Sequence, residues 1–390
     1  MKKAFIKKIA SPGILGIQLV LLYLSNAIFF LLSYIVRFPK YTFVIGVHEV
    51  AKNIYHLGKI LPNAATVCLS RDTYFPQISY SYQSTNKVVN LLYGPIMLAY
   101  LSQKSSNFFY IWSSGFLIDR AYEFRFLKRK KKKIILFFCG DDIRSPKITK
   151  AYYDAQQKDT FINYYKEVYP FFFTDAYERQ KQKIAADADM YADVIFNSPF
   201  DQRGYITKKT YPIFYMIPLE EYSFDAHKHR TMQKPIIVHA PSSSLTKGTP
   251  LVRAAIKRLQ QEGYEFEYIE IMNKSNDEVK ALLLNSHIVL NQFYADAPGF
   301  FGIEALATHN AVLMSADPEY NTADLPADAK GAWMVTNYWQ VYDHLKYLLE
   351  HPQEISVYAQ KGRLLVETYF DISAAKKRYY TALTKEGITV

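Results

Sequence analysis

Two carboxylates and one lysine stand at spacings that could hold a sugar phosphate. Asp296 and Glu304 are separated by seven residues within HIVLNQFYADAPGFFGIEALATHNAVLMS, residues 287–315. Lys247 precedes Gly248 in PIIVHAPSSSLTKGTPLVRAAIKRLQQEGYEFEYIEI, which starts at Pro235. Carboxylates hydrogen-bond sugar hydroxyls, and a lysine ammonium is a point charge suited to a diphosphate. Each residue also has a plain reading: Glu304 complements a helix dipole, Asp296 is solvated and Lys247 is a surface lysine.

The elements around them must bring the three together. Residues 287–290 and 311–314 are short apolar runs of the kind found in buried parallel strands. Between them Pro298 and Gly299 are turn residues, while Ile303, Ala305, Leu306 and Ala307 give a helix its packed face. The pattern predicts a helix from Phe301 or Gly302, with Glu304 in its first turn. A helix start just past a parallel strand offers free N–H groups and partial positive charge at the carboxyl edge of the sheet. The run from Pro235 reads as strand, loop, amphipathic helix and strand. Val252, Ala255, Ile256 and Leu259 recur at helical spacing, and Tyr264, Phe266 and Tyr268 alternate. Pro250 suits the first helical turn.

HAPSSSLTKGT, followed some fifty residues later by the Asp296–Glu304 pair and EALA, resembles the nucleotide-binding half of the retaining glycosyltransferases of family 4. The resemblance covers residues 235–370 and implies an α/β protein of GT-B fold, two Rossmann-like domains facing across a cleft. It implies that Lys247, with Gly248 beside it, contacts the donor diphosphate and that Glu304 binds the nucleotide ribose. Asp296 and the backbone around Phe301 and Gly302 would hold the transferred sugar. It further implies a UDP- or GDP-linked nucleotide sugar as substrate, retention of anomeric configuration, and no metal or other cofactor. Three positions depart from the family pattern. Ser244 stands where relatives carry an arginine, His309, Asn310 and Ala311 replace a Gly-x-Pro turn, and the first acid is Asp296 where Glu is common.

The chain's 390 residues fit two domains of about 150 to 200 residues. Its only cysteines, Cys68 and Cys139, lack ligand-like spacing, which argues against a disulfide framework or zinc site and favours a reducing compartment. The net charge of +11 is concentrated. Lys2, Lys3, Lys7 and Lys8 form one cluster and residues 128–133 another of six, leaving about one charge for the rest. Such patches attract anionic lipid at about 1 kcal/mol per residue. Nucleic acid is set aside, since no nucleic-acid-binding motif accompanies them. A solvated charged loop is the plain alternative for residues 128–133.

Residues 14–36 are 23 residues without a charge, long enough for a bilayer, which takes about 20 apolar residues. Four lysines before the segment would direct the rest of the chain outward if it spanned, whereas nucleotide sugars are cytoplasmic. A re-entrant or in-plane anchor, broken near Ser25 and Asn26, keeps both flanks on the cytoplasmic face. A buried core helix is the alternative. The expected location is therefore the cytoplasmic face of a membrane.

Residues 41–47 read as the first strand and 49–61 as its helix, with Gly46, Val47 and His48 turning toward the cleft. Residues 64–69, 108–112 and 134–139 follow as strands alternating with helical stretches, so a parallel sheet is expected. The turn Gly140, Asp141, Asp142, Ile143, Arg144 resembles a Gly-x-Asp-x-Arg stretch in relatives. His48, Gly46, Asp142 and Arg144 are thereby acceptor-side candidates, and an Asp-Asp turn capped by Arg144 is the competing reading. Residues 145–192 are helical and aromatic, and 193–197 read as a strand followed by Ser198 and Pro199. Residues 211–225 resemble the linker into the second domain, completed by 226–233. Ser275 with Glu278 is a capping box. Residues 332–336 read as a late strand and 339–349 as a helix. The resemblance implies that a last helix, 373–384, crosses back to the first domain. The expected divisions are an anchor over 1–40, domains over 41–225 and 226–370, and the crossing helix over 371–390.

The expected activity is hexosyl transfer from a nucleotide sugar to a glycan or lipid-linked acceptor, in cell-surface polysaccharide or glycolipid biosynthesis. The alternative, prompted by Ser244, is a non-catalytic GT-B scaffold that partners an active transferase.

Overall fold

The computed structural model describes residues 2–70, 78–84, 86–198, 201–225, 227–241, 243–316 and 331–390. Pro199, Ala226 and Ser242, named above, lie outside the described residues.

A long helix, α1 (Lys2–Leu32), opens the chain. Six parallel strands follow: β1 (Tyr41–Val47), β2 (Ala64–Cys68), β3 (Tyr82–Gln83), β4 (Ser105–Ile111), β5 (Lys133–Phe137) and β6 (Val194–Phe196). They lie in the order β3-β2-β1-β4-β5-β6, the doubly wound arrangement whose ligand crevice falls beyond the carboxyl ends of β1 and β4. Their near-continuous apolar stretches bury both faces, with Phe43, Ile45, Phe109, Ile135 and Phe137 on one side and Val44, Phe108, Tyr110, Ile134 and Leu136 on the other. The helices between them are α2 (Asn53–Ile60), α3 (Lys87–Ser102), α4 (Arg120–Arg129), α5 (Pro146–Ala155), α6 (Phe161–Val168) and α7 (Asp175–Tyr191). α2 starts later than the sequence pattern predicts. The Glu49 carboxylate accepts from the backbone N–H groups of Val50, Ile54 and Tyr55, which ties residues 49–52 into a cap ahead of the helix.

The second sheet is also parallel, with β7 (Ile236–His239), β8 (Glu267–Glu270), β9 (Ile288–Leu290), β10 (Ala311–Met314) and β11 (Met334–Val335) in the order β11-β10-β9-β7-β8. Its switch point lies between β7 and β9. The loops leaving those two strands carry Lys247 and Asp296. The helices here are α8 (Ser244–Lys247), α9 (Thr249–Gln261), α10 (Asn276–Asn285), α11 (Gly299–Ala307), α12 (Val341–Glu350), close to the expected 339–349, and α13 (Pro352–Leu365). The capping box at Ser275 and Glu278 is present. The last helix, Ile372–Lys385, packs Ala375, Tyr379, Ala382 and Leu383 against Phe43, Phe109 and Phe196 of the first sheet.

α1 departs from the expected break. It runs unbroken through Ser25 and Asn26, because the Asn26 side chain accepts a 2.7 Å hydrogen bond from Gln103 at the end of α3. One face of α1 packs on the first domain through Leu22, Leu19 and Phe29. Only 11% of its most apolar stretch is buried, and the described helix is long and apolar enough to cross a membrane.

Candidate functional site

Lys247 closes the short helix α8, and Gly248 after it adopts a left-handed conformation (φ +68°) that turns the chain into α9. That turn buries the lysine. Its Nζ lies 4.3 Å from the Phe301 ring centroid and 3.5 Å from Asn291 Oδ1. Burial pulls its pKa down to about 7, against the pull of the Glu304 carboxylate. An anion entering here would restore the full charge.

Glu304 faces the same space. α11 starts at Gly299, two residues before the earliest predicted start, so Glu304 falls beyond the first turn, a correction to the dipole argument. The earlier start comes from Asn291, whose Nδ2 donates to the Pro298 carbonyl at 2.8 Å and fixes the entry of the helix. A Cβ at Gly302 would meet that same Nδ2 at 2.6 Å, which explains the glycine. Glu304 is buried, and its Oε1 accepts from the Tyr222 hydroxyl at 2.7 Å and from Asn276 at 3.1 Å. Burial raises its pKa, against those two hydrogen bonds. Lys247, Glu304, Phe301, Asn276, Ala240 and Pro241 line one cavity of about 280 Å³.

His239, which opens the HAPS stretch, is a brace rather than a ligand. Its Nδ1 donates to the Leu290 carbonyl at 2.7 Å, leaving Nε2 to accept from Thr249 at 3.0 Å. Burial lowers its pKa to about 4, so the ring is neutral at pH 7.

Asp296 sits at the seam between the domains. Its two oxygens accept from Tyr153 of α5 and from Ser315 after β10, both at 2.6 Å. Beside it Phe161 and Ile162 of α6 pack on Tyr294 and Ala295, while the Tyr165 hydroxyl lies 3.1 Å from Thr246 and 3.3 Å from Ser243. The α5–α6 segment of the first domain thus covers the loop that carries Lys247.

The altered turn after α11 is rebuilt by polar groups. His309 takes the positive φ (+61°) that a glycine would otherwise supply. Asn310 donates to the carbonyls of Leu283 and Ala305, and the buried Lys228 ammonium donates to the carbonyls of Ser286 and Thr308.

The first-domain candidates separate. His48 stacks on Trp112 (5.8 Å, 29°) and lines a cavity of about 560 Å³ at the β1–β4 switch point. Gly46 lies deeper in β1, where a Cβ would meet the Val67 carbonyl at 2.8 Å. Its role is strand packing. Asp142 folds back on its own turn and accepts from the backbone N–H groups of Cys139 and Gly140, with burial pushing its pKa up to about 6. The Arg144 guanidinium pairs with Asp141 and Asp201. These contacts support the capped-turn reading, and neither Asp142 nor Arg144 lines the His48 cavity.

Several contributors escaped the sequence reading. Asn291 directly follows β9 and Tyr222 sits in the linker, positions that a search for strand ends would flag. Tyr153 and Ser315 carry no local signal.

No protein-family model matches the chain, and no curated protein matches it. Solved structures do. The sucrose-phosphate synthase of Thermosynechococcus elongatus aligns with a TM-score of 0.57 at 12% identity, over 89% of this chain and 98% of that one. HepE of Anabaena, in complex with UDP and glucose, aligns at 0.59 and 11%, over 88% and 100%. WaaG, a glycosyltransferase involved in lipopolysaccharide biosynthesis, aligns at 0.51 and 11%, over 87% and 99%. At such identities the likeness is one of fold: two parallel-sheet α/β domains in the GT-B arrangement.

Proposed function

We propose that the chain is a glycosyltransferase of the family 4 type, transferring a sugar from a UDP- or GDP-linked donor with retention of configuration. The observation that carries this reading is the pairing of Lys247 and Glu304, both buried, in one cavity at the switch point of the second sheet. A buried cation and a buried carboxylate 57 positions apart are costly to maintain unless a ligand uses them.

In this reading Lys247 faces the diphosphate and Glu304 the ribose, and the N–H groups at the start of α11 face the sugar with Asp296. The acceptor oxygen bonds to the anomeric carbon, the carbon–oxygen bond to the diphosphate breaks with its electron pair, and the acceptor proton passes to the departing phosphate. Lys247 and the α11 start stabilise the charge that develops, while α5 and α6 keep water out. α1 holds the protein on the cytoplasmic face of a membrane. Its exposed side is apolar, and Tyr23 on it lies 3.4 Å from Arg129 in the second basic cluster, which favours anionic lipid.

Purified full-length protein incubated with a panel of nucleotide sugars tests the reading. It predicts slow hydrolysis of one donor, abolished in Lys247→Ala. Hydrolysis of none, with no thermal shift from UDP or GDP, would leave the scaffold alternative standing.

A further inference from the structure

The cavity at the β1–β4 switch point has a polar interior. His48, Asn90, Asp119, Lys183 and Asp187 line it. Gly115 lets its loop lie against the buried Glu123, whose Oε2 accepts from the Leu117 N–H at 2.9 Å. The surroundings are of the opposite character. Along α1, Ile17, Val20 and Leu24 are exposed, and on the neighbouring α3 so are Val88, Val89 and Leu92. Ile118, on the loop that closes the cavity, is 47% exposed.

Gln18 joins the two surfaces. Among the described residues it is the one residue of α1 that lines the cavity, and it is 2% exposed within the uncharged stretch of that helix. Its Nε2 donates to the Leu91 carbonyl of α3 at 2.9 Å, and its Oε1 accepts from the Ile118 N–H at 2.8 Å. The helix that meets the membrane therefore hydrogen-bonds directly to the wall of the acceptor-side cavity.

A polar chamber that opens beside an apolar surface matches a ligand whose polarity changes along its length. We propose that this cavity receives the polar head of a lipid-linked acceptor, whose hydrocarbon chain stays in the bilayer alongside α1 and α3. Gln18 is the positioning residue that sets the cavity wall relative to the membrane. The inference rests on the transferase reading and narrows its acceptor to a membrane lipid conjugate. A water-soluble glycan would gain nothing from the apolar rim, and exposed apolar surface of this extent carries a solubility cost unless something covers it.

The experiment offers full-length protein two acceptor pools. Radiolabelled UDP-glucose, then other UDP- and GDP-sugars in turn, is incubated with vesicles of the source organism's total lipid extract, and separately with its water-soluble glycan fraction. Label in the organic phase is expected. Label in the water-soluble glycan alone, or donor hydrolysis with transfer to neither pool, overturns the lipid acceptor and leaves the transferase reading intact. Neither hydrolysis nor transfer overturns both. Gln18→Leu removes two hydrogen bonds, so lipid labelling should fall about tenfold while vesicle binding persists. Unchanged labelling removes Gln18 from the seat. If that variant does not fold, Ile118→Asp, on an exposed loop, should lower lipid labelling while its unfolding midpoint stays within about 2 °C of the parent. Full labelling with Ile118→Asp overturns the apolar rim.

Discussion

The two switch-point cavities share a plan and differ in where they keep their charges. In the second domain Lys247 and Glu304 are buried, and burial shifts both of their pKa values. In the first, Arg120 is also buried on the wall, beside the buried Glu123, while Lys183 is half exposed and paired with Asp119 and Asp187. Charge in low dielectric is strong and costly, whereas paired charge at the surface is worth about 0 to 1 kcal/mol. On that basis the second cavity is expected to select its ligand chiefly by electrostatics. The first combines one buried cation with half-exposed paired charge and an apolar border.

Deleting residues 1–36 separates the two most completely. Vesicle binding should be lost outright, while UDP affinity, read by calorimetry, stays within about twofold because α1 packs on α3 and the first-domain core. The unfolding midpoint should fall, since Leu22 leaves the first core. Loss of the cooperative transition would show α1 to be a core helix, and the membrane reading would fail.

Next comes the cavity of the second domain. Lys247→Ala and Glu304→Ala should each weaken nucleotide binding by about 10- to 150-fold, the worth of one charge-assisted hydrogen bond. Lys183→Ala should change it by less than about threefold. Because the Lys247 ammonium titrates near 7 in the free protein, UDP affinity should decline as pH rises from 7 to 9. The Lys247→Ala variant should show a flat profile there. An equal response of both variants would break the contrast.

Ser244 is exposed at the start of α8, so an arginine has room there. Ser244→Arg should tighten UDP and GDP about tenfold. Arg144→Ala should leave that affinity within about twofold, since its guanidinium already serves Asp141 and Asp201, and should instead lower the melting temperature. A loss of affinity matching that of Lys247→Ala would show that Arg144 stands in for the arginine missing at Ser244.

The smallest expected effect is on stability against pH. His229, His239, His287 and His309 in the second domain have pKa values lowered to about 4 by burial, as has His56 in the first. An unfolded histidine binds its proton near 6.5, so their contribution is present above that value and is lost as pH falls toward 4. Burial instead raises Glu49 and Glu123 of the first domain to about 7 and Asp142 to about 6. Those groups bind protons more readily when folded, so their contribution is present in acid and is lost as pH rises through 6 to 7. Hydrogen exchange at pH 7 and pH 5 should show protection falling in the second sheet relative to the first. A uniform response would contradict the assignment.

Both sheets were legible because parallel strands buried on two faces read as bare apolar runs, such as 134–137 and 311–314. The proposed donor-side residues Lys247 and Asp296 stand out for a related reason, since each lies in the loop that leaves a strand end. What was hidden is non-local. Gln18 meets Ile118 across a hundred positions, and Tyr153 meets Asp296 across 143, so no spacing rule connects them. The start of α11 was misplaced because a side chain before the helix, Asn291, decides it.

The Asp296 carboxylate leads to a practical consequence. One of its oxygens is held from within its own domain by Ser315 and the other from the opposite domain by Tyr153. Separating the domains must release the second bond and can spare the first. The Tyr153 ring is thus a built-in gauge of cleft opening: a fluorine placed on it would report, through its resonance, whether the phenol is bonded to the acid or to solvent, with no dye attached to the protein.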